Sequence, residues 1–126
     1  MANILVYGTL KRDHKNNRFL GKEATFVREV RVPGYDLYAL GWFPGIRPNP
    51  VNLEGVLCEQ YTIPDEQVRT LDHYEGYYAD APENRSLFVR REVEVEGETA
   101  YIYEYNAHPD GHDPIPSGEW PCGKDM

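Results

Sequence analysis

Asn3-Ile4-Leu5-Val6-Tyr7-Gly8-Thr9-Leu10 decides how the chain is read. Asn3 to Val6, with the apolar run Ile4-Leu5-Val6, is too short to alternate cleanly and reads as a buried strand. Gly8 then permits a sharp turn and lets another group approach the backbone closely. Successive main-chain N–H groups in such a turn can cradle a carboxylate. An ordinary strand-to-helix turn would have the same local sequence, and both readings stand at this level.

Outward from this stretch, polar residues from Lys11 to Arg18 predict a short helix ending near Gly21. Thr25 to Val32 alternates as a strand. Pro33-Gly34 makes a turn, and Tyr35 to Leu40 follows as a second strand. Residues 41 to 52 carry Gly41, Pro44, Gly45, Pro48 and Pro50, which predicts an irregular loop before a strand from Leu53 to Tyr61. Thr62 can cap the next helix, Pro64 suits its first turn, and Asp65-Glu66 favours its positive end. That helix runs through Val68 and Leu71 to Tyr74 or Glu75, and Gly76 stops it. Leu87 to Val95 and Thr99 to Tyr105 pair as strands across Glu96-Gly97-Glu98. Beyond Asn106, Pro, Gly and Asp predict an extended tail over the surface.

No repeat or linker divides residues 1–126, so the expectation is one domain. Two short helices among about six strands place it in the α+β class with a strongly curved or closed sheet. The charge is -8, from 21 acidic against 13 basic residues. That balance repels phosphate backbones and argues against nucleic acid. No apolar run approaches the roughly 20 residues of a membrane span. The amino terminus lacks a basic segment followed by a long apolar stretch, so the expected location is the cytoplasm. There, Cys58 and Cys122 are expected as two free thiols rather than a pair. Ten tyrosines suit a pocket that is apolar in body and polar at its rim.

Glu75 is the candidate for proton transfer. Spacings of three and four put Val68, Leu71 and Glu75 on one helix face. A carboxyl on that apolar stripe, at the negative end of the helix dipole, has its pKa raised towards neutrality. A frayed last turn with Glu75 in water is the other reading. His108 and His112 are separated by Pro109 and Gly111, which break the helix that would align them, and no third ligand is evident. They read as a solvated tail. Trp42-Phe43-Pro44-Gly45-Ile46 either lines a pocket or plugs the core, with the core favoured. Tyr35 and Tyr103 could each reach a cavity from a strand or pack plainly.

Val6-Tyr7-Gly8-Thr9-Leu10-Lys11 resembles the strand-and-loop signature of the gamma-glutamyl cyclotransferase-like family. Leu71-Asp72-His73-Tyr74-Glu75-Gly76-Tyr77 is similar to that family's segment bearing the catalytic glutamate. Arg90-Arg91-Glu92-Val93, Ala100-Tyr101-Ile102-Tyr103 and Ser117-Gly118-Glu119-Trp120 follow in the expected order. The short length is most similar to the gamma-glutamylamine cyclotransferase branch. One departure is Leu87-Phe88-Val89, where relatives commonly carry a tyrosine. Residues 76 to 87 have their own composition and could shape the leaving-group side.

The resemblance implies a small mixed β-barrel with two or three short flanking helices. It implies a lyase-type reaction in which a gamma-glutamyl amine, or a related compound, cyclises to 5-oxoproline and releases the amine. Glu75 would move the protons. Tyr7, Gly8, Thr9, Leu10 and Tyr103 would hold the substrate. No metal or cofactor is implied, because the nucleophile belongs to the substrate. A binding module using the same pocket without turnover is the alternative. A carboxylate at Glu75 favours the enzyme, since a binder of anions would gain by losing it.

Overall fold

The computed structural model describes residues 1–121. The opening apolar run becomes β1 (Ala2–Val6), the middle strand of a five-stranded sheet ordered β2-β5-β1-β7-β6. Its flanking strands are β5 (Val56–Ile63), antiparallel with Ile4 opposite Tyr61, and β7 (Glu98–Tyr105), parallel with Ile4 opposite Tyr101. A middle strand is covered on both faces, which explains a continuous apolar run in place of alternation. Leu5 and Tyr7 enter one core cluster with Leu37, Ile46, Val56 and Ile102. Ile4 and Val6 enter a second with Leu20, Val68, Leu71 and Tyr103. The sheet edges are β2 (Thr25–Val32) and β6 (Phe88–Val95).

A second sheet covers the first cluster. It comprises β3 (Tyr35–Ala39), β4 (Pro44–Pro48) and β8 (Asp113–Pro114), ordered β4-β3-β8. The sequence assigned β4 to a loop. The strand exists because β3 supplies a partner along its length, from Tyr35 opposite Pro48 to Ala39 opposite Pro44. Prolines at both ends of β4 cannot donate to a further strand, which keeps it at an edge. The α+β class stands, but the two sheets do not close into the expected barrel: the ladder ends at β2 and β6, and β3 leaves it at Pro33-Gly34.

On the opposite face lies α1 (Gln67–Glu75), which with two short 3₁₀ turns, Lys15–Leu20 and Glu83–Arg85, makes up the helical part of the described residues. The expected helix after Lys11 is thus 3₁₀, ending at Gly21. Thr62 is not the cap of α1, because it pairs with Asn3 inside β5. Glu66 takes the cap position without a side-chain hydrogen bond. The carboxyl end is as expected. Gly76 is left-handed (φ 69°), and the Tyr77 N–H returns to the Asp72 carbonyl at 2.8 Å. The tail lies over the surface and is anchored: Lys11 Nζ donates to the Trp120 carbonyl at 2.7 Å, and Trp120 is buried.

Candidate active site

Between the end of β1, the start of β4 and the end of α1 lies a cavity of about 160 Å³. Tyr7, Gly8, Thr9, Leu10, Glu75 and Tyr103 all line it, together with Trp42, Phe43, Tyr74 and Phe88. The loop reaches it because β1 ends at Val6 and the chain turns, the Lys11 N–H closing on the Gly8 carbonyl at 3.0 Å. Among the described residues, the N–H groups of Gly8, Thr9 and Leu10 donate to no protein acceptor. Three adjacent orphan donors at a cavity wall are a ready site for an anionic group.

Gly8 earns its place by packing. A Cβ there would stand 2.5 Å from Pro44 Cγ, so the loop and β4 can touch only without a side chain. This constraint lies in the wall itself, independent of any ligand.

Glu75 reaches the cavity because α1 buries Val68 and Leu71 on the same stripe. It is half-buried, and the surface it keeps faces the cavity it lines. Burial pushes its carboxyl from the ordinary range up to about 8. Among the described residues it takes part in no hydrogen bond or ion pair. A carboxyl with a pKa of about 8 can take up and release a proton within reach of neutral pH, as acid–base chemistry requires.

The surrounding hydroxyls are committed elsewhere. Tyr7 Oη donates to the Tyr103 carbonyl at 2.6 Å, and burial, then the charge of Glu75, pushes its pKa well up. Tyr103 lines the cavity, but its hydroxyl donates to Asp72 Oδ1 at 2.7 Å. Burial and that bond raise it. Asp72 is held in turn by Arg90 at 2.7 Å. Tyr35 lies in the other cluster and donates to Glu104 at 2.6 Å, away from the cavity.

Three features escaped the sequence reading. The Trp42–Ile46 segment divides: Trp42, Phe43 and Pro44 line the cavity, while Ile46 is core. Tyr74, one residue before the carboxylate, joins loop to helix through Thr9 Oγ1 at 3.0 Å and receives Asn16 Nδ2 at 3.0 Å. Leu87 and Phe88, the departure noted above, form apolar wall. Only the position of Tyr74 inside the helix motif could have singled it out. Cys58 is a free, fully buried thiol pushed up to about 12 by burial, so it supplies no thiolate. Cys122 lies outside the described residues.

Loop amides and a raised carboxyl lining one cavity of an α+β domain form a candidate acid–base site. More particularly, residues 4–122 match the family described as gamma-glutamyl cyclotransferase, AIG2-like. The chain belongs to that family and is a gamma-glutamyl cyclotransferase-like enzyme with a lyase-type reaction. It is 31% identical to the gamma-L-glutamyl-butirosin B gamma-glutamyl cyclotransferase of Niallia circulans, over 84% of this chain and 68% of that one. It is 28% identical to the Escherichia coli K12 gamma-glutamylcyclotransferase family protein YtfP, over 93% and 94% of the two chains. The solution structure of YtfP from that species superposes with a TM-score of 0.70 at 25% identity, covering 98% and 99%. The crystal structure of a mouse AIG2-like protein gives a TM-score of 0.66 at 26% identity, covering 86% and 79%. No helix among the described residues is long and apolar enough to cross a membrane.

Proposed function

We propose that the cavity cyclises a gamma-glutamyl amine, or a related gamma-glutamyl compound, to 5-oxoproline and releases the amine. The carrying observation is the pairing of an unpartnered, raised carboxyl with three unpartnered amides around one cavity. The substrate's α-amine arrives as an ammonium, and the Glu75 carboxylate takes its proton. The free amine attacks the gamma-amide carbon, and the carbonyl oxygen becomes an oxyanion. Glu75 returns that proton to the departing nitrogen and takes the second proton, which the attacking nitrogen still carries. The carbonyl then reforms, the carbon–nitrogen bond breaks, and Glu75 passes this proton to the released amine, which leaves as an ammonium. One carboxyl thus shuttles both protons lost by the substrate ammonium and ends as it began, with no water consumed.

The amides of Gly8, Thr9 and Leu10 are suited to the substrate carboxylate or the developing oxyanion, as fixed donors whose orientation costs nothing at the moment of reaction. Folding the substrate so that its own amine meets its own carbonyl lowers the barrier through proximity. Tyr103 contributes to the wall, and its hydroxyl is occupied by Asp72. In this reading the whole chain acts as one domain, in the cytoplasm, on a small molecule. Its charge of -8 opposes nucleic acid as a partner. The test is mass spectrometry of a panel of gamma-glutamyl compounds incubated with the protein. Stoichiometric 5-oxoproline and free amine are expected, and their absence across the panel contradicts the proposal.

A further inference from the structure

The cavity is chemically lopsided. Its polar groups are the loop amides, Glu75 and the mutually bonded hydroxyls of Thr9 and Tyr74, all at the ends of β1 and α1. Its remaining wall is aromatic and aliphatic: Trp42, Phe43, Leu87 and Phe88. Trp42 is 68% exposed and Leu87 51% exposed, so both stand at the mouth, where water would ordinarily favour polar residues. They are not loose. The Trp42 ring packs edge-on against Phe43 at 4.9 Å and 67°, and Phe43 leans on Phe88 at 6.2 Å. Phe88 is buried and rests on Tyr105 at 5.7 Å. The mouth is therefore an aromatic ledge braced from within.

The ledge also excludes. Among the described residues no lysine, arginine or histidine lines the cavity, and the acid among its lining residues is Glu75. A leaving group carrying a carboxylate, as any gamma-glutamyl amino acid does, would find no cation there and would face a chain of charge -8. A leaving group carrying an ammonium would find no second acid, since Glu75 is engaged with the substrate amine. A neutral apolar amine loses nothing by entering and covers the exposed rings.

Resting on the cyclisation reading, we infer that the mouth formed by Trp42, Phe43, Leu87 and Phe88 selects, among gamma-glutamyl amides, those whose leaving amine carries a neutral aromatic or larger aliphatic group over those whose leaving amine is small or charged. The polar end takes the gamma-glutamyl group common to all such substrates. The apolar end sets which amine departs. Trp42 determines specificity by contact with that amine and takes no part in proton transfer.

The experiment compares gamma-glutamyl-benzylamide, gamma-glutamyl-methylamide and gamma-glutamyl-glycine by kcat/KM for 5-oxoproline formation. Benzylamide is expected to exceed glycine by at least about tenfold, the scale on which apolar pockets discriminate. In Trp42→Ala the benzylamide-to-methylamide ratio is expected to fall about fivefold or more. Trp42 is largely in water, so this variant keeps the fold. Trp42→Arg supplies the missing cation and is expected to shift preference towards gamma-glutamyl-glycine. Equal kcat/KM for the three compounds in the wild type overturns the inference while leaving cyclisation standing. Ratios unmoved by both Trp42 variants overturn the role of the ledge. No 5-oxoproline from any compound overturns the cyclisation reading and this inference together.

Discussion

Glu59, on β5, is fully buried, and the protein surrounds it with partners. Its carboxylate receives the Arg12 N–H at 2.9 Å and the Tyr61 hydroxyl at 2.9 Å. Its second oxygen lies 3.2 Å from Arg12 Nε, an ion pair without hydrogen-bond geometry. Glu104, on β7, is likewise buried and met by Tyr35 at 2.6 Å and Arg91 at 3.4 Å. Glu75, half-buried at the cavity, has none of these partners among the described residues, and burial pushes its pKa up to about 8. Removing a carboxylate from water is costly, and partners offset that cost for the first two. Among the described residues no partner offsets it for Glu75. The difference separates acids that hold the fold together from an acid kept ready for a ligand, and perturbed, unpartnered groups in clefts mark functional sites.

The contrast is sharpest in matched substitutions to glutamine. In Glu75→Gln, shape is kept but the proton cannot be taken. Turnover is expected to fall about a hundredfold to ten-thousandfold, the usual size of an acid–base contribution. The stability effect has the opposite sign. The folded pKa of about 8 lies above the ordinary 4.5, so the stability conferred by protonated Glu75 is intact below pH 4.5. It is lost progressively as pH rises through 8, where folding must bury the charge. Thermal melts from pH 4 to 8 should therefore show a decline in the wild type that the variant lacks. A variant less stable than the wild type at pH 8 would place Glu75 with the structural acids.

A smaller effect is expected of Glu59→Gln, and on stability. The Arg12 ion pair is lost and one buried hydrogen bond is compromised, costing about 1–3 kcal/mol. Because Arg12 is half exposed and can turn to water, the loss stays within that range. Calorimetry checks it, and kcat/KM should fall far less than in Glu75→Gln. Smallest of all, Tyr35→Phe removes one donor from Glu104 while Arg91 remains, for about 1 kcal/mol. A large loss of turnover there would erase the distinction, since Tyr35 does not line the cavity.

The elements made by local chemistry were legible in the chain. The apolar run of β1, the stop of α1 at Gly76 and the β6–β7 hairpin each follow from a few adjacent residues. Elements that depend on a distant partner were not. β4 is proline- and glycine-rich and becomes a strand only because β3 lies beside it, and Thr62 is drawn into β5 by Asn3. The same boundary runs through the site. Glu75 and the Gly8 loop could be singled out from spacing and turn chemistry. The tie between Tyr74 and Thr9, the turning of the Tyr103 hydroxyl to Asp72 and the split of Trp42 from Ile46 depend on contacts across the fold.

The central claim is that the unpartnered carboxyl of Glu75 is the group that takes the substrate's proton. The pH dependence of kcat/KM for 5-oxoproline formation tests it most directly, because it reads the free enzyme's essential base. Below pH 8, kcat/KM should rise about tenfold per unit, with the limb levelling at an apparent pKa near 8. The residual turnover of Glu75→Gln should lack that limb. A limb near the ordinary 4.5 of an exposed carboxyl, or one near 8 that persists in Glu75→Gln, would contradict the account.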